Sequence, residues 1–256
     1  MDQYEYIGNY HCEVTTSSAE AQTWINRGIM QIFGFNRVEA IICFKKAIEA
    51  DSDALMGYWG VSFTYGPYYN IMTVSKADYD IANEYLAKAL AKKSIGMDWE
   101  QGLIDALATR YCDPMPLEGE EFQKMMVNYS KSMKELYGKF PNDLNILGFY
   151  AESLMNLRPW QLWTKDGIPH PEAVEAKELL EKGISFAKPH ALIYHLYIHL
   201  LELSPYMKDA LPIADALLAM NIEVGHLLHM PSHIYIQVGQ YEKAIESNRL
   251  GIEADK

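Results

Sequence analysis

Two histidine pairs dominate the chemistry this chain can do. His195 and His199 stand four residues apart, and His229 and His233 repeat that spacing 34 residues later. His226 precedes the second pair by three residues, and Glu202 follows the first by three. Spacings of three, four and seven put side chains on one face of a helix. Two helices therefore each aim a set of imidazoles one way, with a carboxylate among them. Six of the chain's eight histidines fall within residues 190–233, several times what an even spread would place there. Packed helices lie about 8–10 Å apart, so rings from both can meet on an ion at bonds of about 2.0–2.1 Å.

The candidate metal ligands are therefore His195, His199, His226, His229 and His233, with Glu202 as a further ligand or a proton-transfer group. Nitrogen and oxygen donors without thiolate suit zinc, copper(II), iron or nickel. Five imidazoles and a carboxylate exceed the four positions of a closed tetrahedral zinc. Either two ions share them, or one ion takes three or four and the rest serve as outer groups, acid–base residues or substrate contacts. A three-histidine site with an open position suits hydrolysis; copper or iron in the same cage suits oxygen chemistry. The alternative without a metal is a polar groove whose histidines bond to one another and to water. Imidazoles so crowded would depress one another's proton affinity and leave polar groups to satisfy.

The elements that must carry these residues are helical. Apolar periodicity predicts helices near 18–33, 36–50, 53–66, 76–93, 98–112, 118–138, 142–157, 171–187, 190–203, 207–219, 225–238 and 240–254. Asp51 and Ser52 are placed to cap the third, Pro141 with Asn142 and Asp143 to open the seventh, and Gly239 to part the last two. Pro114 and Pro116 mark another junction, and NLRPWQLWTKDGIPHP inserts a loop at about 157–171. Twelve helices in six antiparallel hairpins point to an all-α solenoid.

Composition narrows the function. With 49% hydrophobic and 12% aromatic residues the chain has material for a core and a pocket wall. A net charge of −12 argues against nucleic acid or an anionic membrane as partner. Cys12, Cys43 and Cys112 form neither a CxxC site nor an even disulfide set. The start MDQYEYIGNYHCEV lacks the pattern of a signal peptide, and no apolar run reaches membrane-spanning length. The expectation is a cytoplasmic protein.

The 34-residue offset is the period of the tetratricopeptide repeat, and the chain resembles that family. Counted from Ala21, Trp24, Gly28, Ala40, Phe44 and Ala47 stand at repeat positions 4, 8, 20, 24 and 27, where large, small, Ala, aromatic and Ala are expected; Gln31 departs at position 11. Counted from Gly225, Ser232, Tyr235, Gly239, Tyr241 and Ala244 fit, while Asn248 replaces the second aromatic. The resemblance is clearest over 21–66 and 191–256 and weaker over 76–188. It implies a right-handed superhelix of about six hairpins, with residues 1–17 as an extension and 18–256 as one domain. It also implies that first-helix positions 2, 5, 9, 12 and 13 line a concave groove, and all six site residues take such positions. Trp59 and Phe63 take groove positions in the second unit, so with Trp160 and Trp163 of the loop they are candidate pocket walls. Arg158 is a candidate clamp for a substrate carboxylate.

The reading that follows is a metal-dependent enzyme, an oxidoreductase or hydrolase, acting on a small or peptide-like substrate and using copper, iron or zinc. The alternatives are a protein–protein interaction module, the commoner role of this repeat family, and a metal carrier or sensor. The last helix leaves Ile245 and Leu250 on a stripe that no capping helix covers, so a homodimer or packed partner is expected there.

Overall fold

The computed structural model describes residues 7–8, 10–112, 118–186 and 188–256; the proline junction at 114 and 116 lies outside them. Among these residues there are thirteen α-helices and no strand, with isolated bridges from Tyr68 to Ile71 and from Trp163 to Pro169. The chain divides into two compact units.

One unit comprises residues 10–32 and 37–146. It holds α1 (Ala19–Phe33, except its last residue), α2 (Arg37–Ala50), α3 (Leu55–Tyr65), α4 (Lys76–Lys92), α5 (Asp98–Ala108) and α6 (Gly119–Lys139). From α2 to α6 each helix packs on the next in sequence, the mark of stacked hairpins. Phe44 is fully buried against α1, where a Cβ on Gly28 would come within 2.7 Å of its ring. The small and aromatic positions of the repeat thus do the packing expected of them.

Local capping departs from expectation at one end and follows it at another. Helix α3 starts at Leu55 after Ala54, which makes no side-chain cap. Asp51 instead turns its carboxylate to Thr16 and Ser17, accepting from both, with its other oxygen 2.9 Å from the Asp53 amide. Asp143 does cap: its Oδ1 accepts from the amides of Asn145 and Ile146 at 2.9 and 3.0 Å, where α7 (Leu144–Met155) begins.

The other unit takes residues 7–8, 33–36 and 147–256. Besides most of α7 it holds α8 (Pro171–Ser185), α9 (Ala191–Leu201), α10 (Leu211–Ala219), α11 (Gly225–His229), α12 (Pro231–Gln237) and α13 (Tyr241–Ala254). Helix α8 packs on α9, α9 on α10, α10 on α12, and both α11 and α12 on α13. The helix expected over 225–238 is two helices, because Pro231 has no N–H to give the preceding turn. The same applies at 207–219, where a 3-10 turn over Met207–Ala210 precedes α10 and its Pro212. Every residue of α9 is buried, since ALIYHLYIHLL is apolar on all faces. Two imidazoles are therefore carried into a core.

Candidate metal centre

The five histidines cluster within the second of these units. Ring centroids lie 4.7 Å apart for His195 and His199, 4.8 Å for His195 and His226, and 5.8 Å for His199 and His226. His226 is 5.9 Å from His229, which is 4.7 Å from His233. Within the cluster, one ligand nitrogen from each of His195, His199 and His226 lies within 4.8 Å of the others. His229 and His233 form a second set, with their Nε2 atoms 2.8 Å apart.

Four of the rings are oriented by an oxygen that accepts at Nδ1. The Phe33 carbonyl takes His195 Nδ1–H at 2.6 Å; it belongs to the last turn of α1, whose carbonyls lack helical partners. Glu202, at the C-cap of α9, accepts from His199 Nδ1 at 2.7 Å through Oε1 and from His233 Nδ1 through Oε2. Asn248 Oδ1 accepts from His229 Nδ1 at 2.6 Å, while its Nδ2 donates to the Ala244 carbonyl at 2.8 Å, which settles the amide's orientation. Carbonyls and carboxylates only accept, so each Nδ1 bears the proton and each neutral ring keeps its lone pair at Nε2. The Nε2 atoms of His195 and His226 are buried without a hydrogen-bond partner among the described residues.

Electrostatics favour the neutral form at His195, His199 and His226. Burial, reinforced by the neighbouring imidazoles, holds His195 well below the usual imidazole range. Burial also lowers His199, against the pull of Glu202. Burial and the neighbouring imidazoles, His199 foremost, bring His226 down to about 3. Burial works against ionising Glu202, yet hydrogen bonds from His199 and His233 bring it to about 2. Neutral imidazoles beside an anionic carboxylate are the form that binds a metal.

Two further residues complete the site. Phe35, at φ 55°, sets its ring 4.4 Å from His195, 5.8 Å from His199 and 5.6 Å from His226, covering the triad. Trp160, also in the left-handed region at φ 63°, meets His199 edge-on at 5.5 Å and is 43% exposed. Its loop is held by Trp163 Nε1, which donates to the Leu200 carbonyl at 2.7 Å. The floor of the site is thus the buried pair on α9, and its open side carries Trp160 and the half-buried His229 and His233.

The remaining sequence candidates stand elsewhere. Arg158 Nε pairs with Glu172 at 3.1 Å, tying one end of the loop to the first turn of α8. Trp59 and Phe63 lie in the core of the other unit, stacked at 5.0 Å, with the buried Arg110 guanidinium 4.7 Å from the Phe63 ring. His190 stands just before α9, where its side chain makes no cap, and packs on Phe33 at 5.0 Å.

Phe35 and Asn248 escaped the sequence reading. For Phe35 no periodicity exists, because it stands in the turn after α1. For Asn248 a signal was present: it departs from the aromatic of the repeat. The structure puts an imidazole's acceptor where that ring would be. Gly251 allows the approach, since a Cβ there would come within 2.9 Å of the Gly225 carbonyl.

These features define an all-α protein of helical hairpins with a histidine-lined centre. Residues 226–256 match the family model for the tetratricopeptide repeat, so the last unit is such a repeat, and three of the five histidines lie in it. No curated protein matches the sequence. Similar solved structures include the crystal structure of YrrB, described as a TPR protein with an unusual peptide-binding site. It is 16% identical, with 91% of this chain and 86% of that one covered, at a TM-score of 0.26. That likeness is too weak to carry a function. Among the described residues no helix is long and apolar enough to cross a membrane.

Proposed function

We propose that the chain is a metal-dependent enzyme whose first ion is held by Nε2 of His195, His199 and His226. One observation carries the reading: oxygen acceptors hold the Nδ1 protons of His195 and His199, which leaves their lone pairs at Nε2, and ligand nitrogens of these two buried rings and of the half-buried His226 lie within 4.8 Å of one another. Three neutral ligands leave an ion its full charge and an open coordination position. Such an ion supplies Lewis-acid activation of a water or a carbonyl, which favours hydrolysis. Copper or iron in the same place would turn the chemistry to oxygen. Glu202 orients His199 and His233, and Trp160 walls the open side for a small or peptide-like substrate.

The repeat match at 226–256 favours a second reading, a non-catalytic interaction module. The exposed apolar residues of α12 and α13 also support an association there, which we assign to a homodimer.

Elemental analysis decides between the two. Chelator-stripped protein is reloaded with zinc, copper or iron, desalted and assayed for metal and for hydrolysis of a peptide and ester panel. We expect at least one tightly held ion, and less than a tenth of it at that site in His226→Ala. Helicity by circular dichroism should survive stripping, because packing spread over many hairpins supports the fold. A chain that retains no ion is an interaction module.

A further inference from the structure

We infer that His229 and His233 hold a second transition-metal ion through their Nε2 atoms, making the centre a two-ion site. This builds on the triad as the first site, and the test below separates the two. The argument starts from the hydrogen atoms. Asn248 Oδ1 requires a proton on His229 Nδ1, and Glu202 requires one on His233 Nδ1. Neutral rings so oriented present two lone pairs to each other, yet their Nε2 atoms are 2.8 Å apart. Two acceptors at that distance repel, so a positive charge belongs between them.

Geometry favours a metal ion in that place. Two imidazoles bound at about 2.0–2.1 Å set their nitrogens about 2.9 Å apart at the right angles of a tetragonal or five-coordinate site, against about 3.3 Å at a tetrahedral angle. Pro231 contributes by breaking the helix between the two histidines, which stand on α11 and α12. Both rings are half-buried, leaving water or substrate to complete the coordination. Borderline ions such as zinc, copper(II) or nickel fit all-imidazole ligation. With an ion in the triad as well, the arrangement supports a pair that shares substrate oxygens between two cations.

Zinc titration of the metal-free full-length chain, followed by calorimetry and by elemental analysis after desalting, tests this. The expected result is two ions per chain in the wild type and one in His229→Ala or His233→Ala. Asn248→Leu keeps both rings but removes the acceptor that orients His229. It should weaken the second ion about 10–100-fold and leave the first unchanged; Asn248→Asp should restore it. His226→Ala should lose the first ion and keep the second. A single ion that depends on His226 but not on His229 overturns the inference and leaves the triad standing. A zinc-loaded protein whose nitrogen NMR shows a proton shared between His229 and His233 overturns it too. No bound ion in the wild type removes both readings.

Discussion

The ring of Phe35 lies 4.4 Å from that of His195, held there by a backbone in the left-handed region at φ 55°. A residue with a Cβ pays about 1–2 kcal/mol for that conformation, and here the ring it positions covers three imidazoles. Phe35→Gly and Phe35→Ala both remove the ring, but only the glycine relieves the backbone. In urea unfolding both should be destabilised, with the alanine variant worse by about 1 kcal/mol. Equal stabilities would show that the backbone carries no strain.

Glu202 receives Nδ1 protons from His199 and His233 at once. Glutamine at that position keeps one acceptor and turns an N–H₂ toward the other ring, forcing that ring to reverse its tautomer. Glu202→Gln should therefore weaken zinc binding about 10–100-fold without abolishing it, as measured by competition with a chelating dye. Complete loss would make Glu202 a direct ligand.

His190 is held at about 3, by burial first and by the charge of Lys188 second. An unfolded imidazole titrates near 6.5, so between these values the unfolded chain binds more protons than the folded one. The contribution of His190 is therefore constant above pH 6.5 and erodes stability as pH falls toward 3. The slope is at most about 1.4 kcal/mol per pH unit for one proton. His190→Leu should flatten that limb, as read from urea midpoints of metal-free protein at pH 7, 5.5 and 4. An unchanged slope would mean that His190 titrates normally.

Ile236, Tyr241, Ile245 and Ile252 are 57%, 63%, 69% and 63% exposed on α12 and α13, whereas Leu250 is half-buried. The wild type should self-associate through this face, and Ile245→Lys should shift it to monomer in sedimentation or light scattering. A wild type that stays monomeric at high concentration rejects the homodimer.

Local periodicity made much of this protein legible. The 3.6-residue pattern located the helices, and the three- and four-residue spacings placed each set of histidines on a common face, because a helix's geometry depends only on neighbours in sequence. The 34-residue offset paired the two sets, and Asp143 and Gly239 marked boundaries by local chemistry alone. What spacing does not encode is which nitrogen of an imidazole faces inward. That was decided by acceptors brought from other elements: the Phe33 carbonyl, 162 residues from His195, Glu202 for His233, and Asn248 on α13. The burial of His195 and His199 beside the half-buried His226, His229 and His233 likewise arose from packing, as did the place of Phe35. Trp59 and Phe63 show the same limit from the other side. Their register positions suited a groove, but stacking against each other beneath Arg110 settled them in a core. A side chain's face is a local property, while its partner and its burial are set by what the rest of the chain brings to that face.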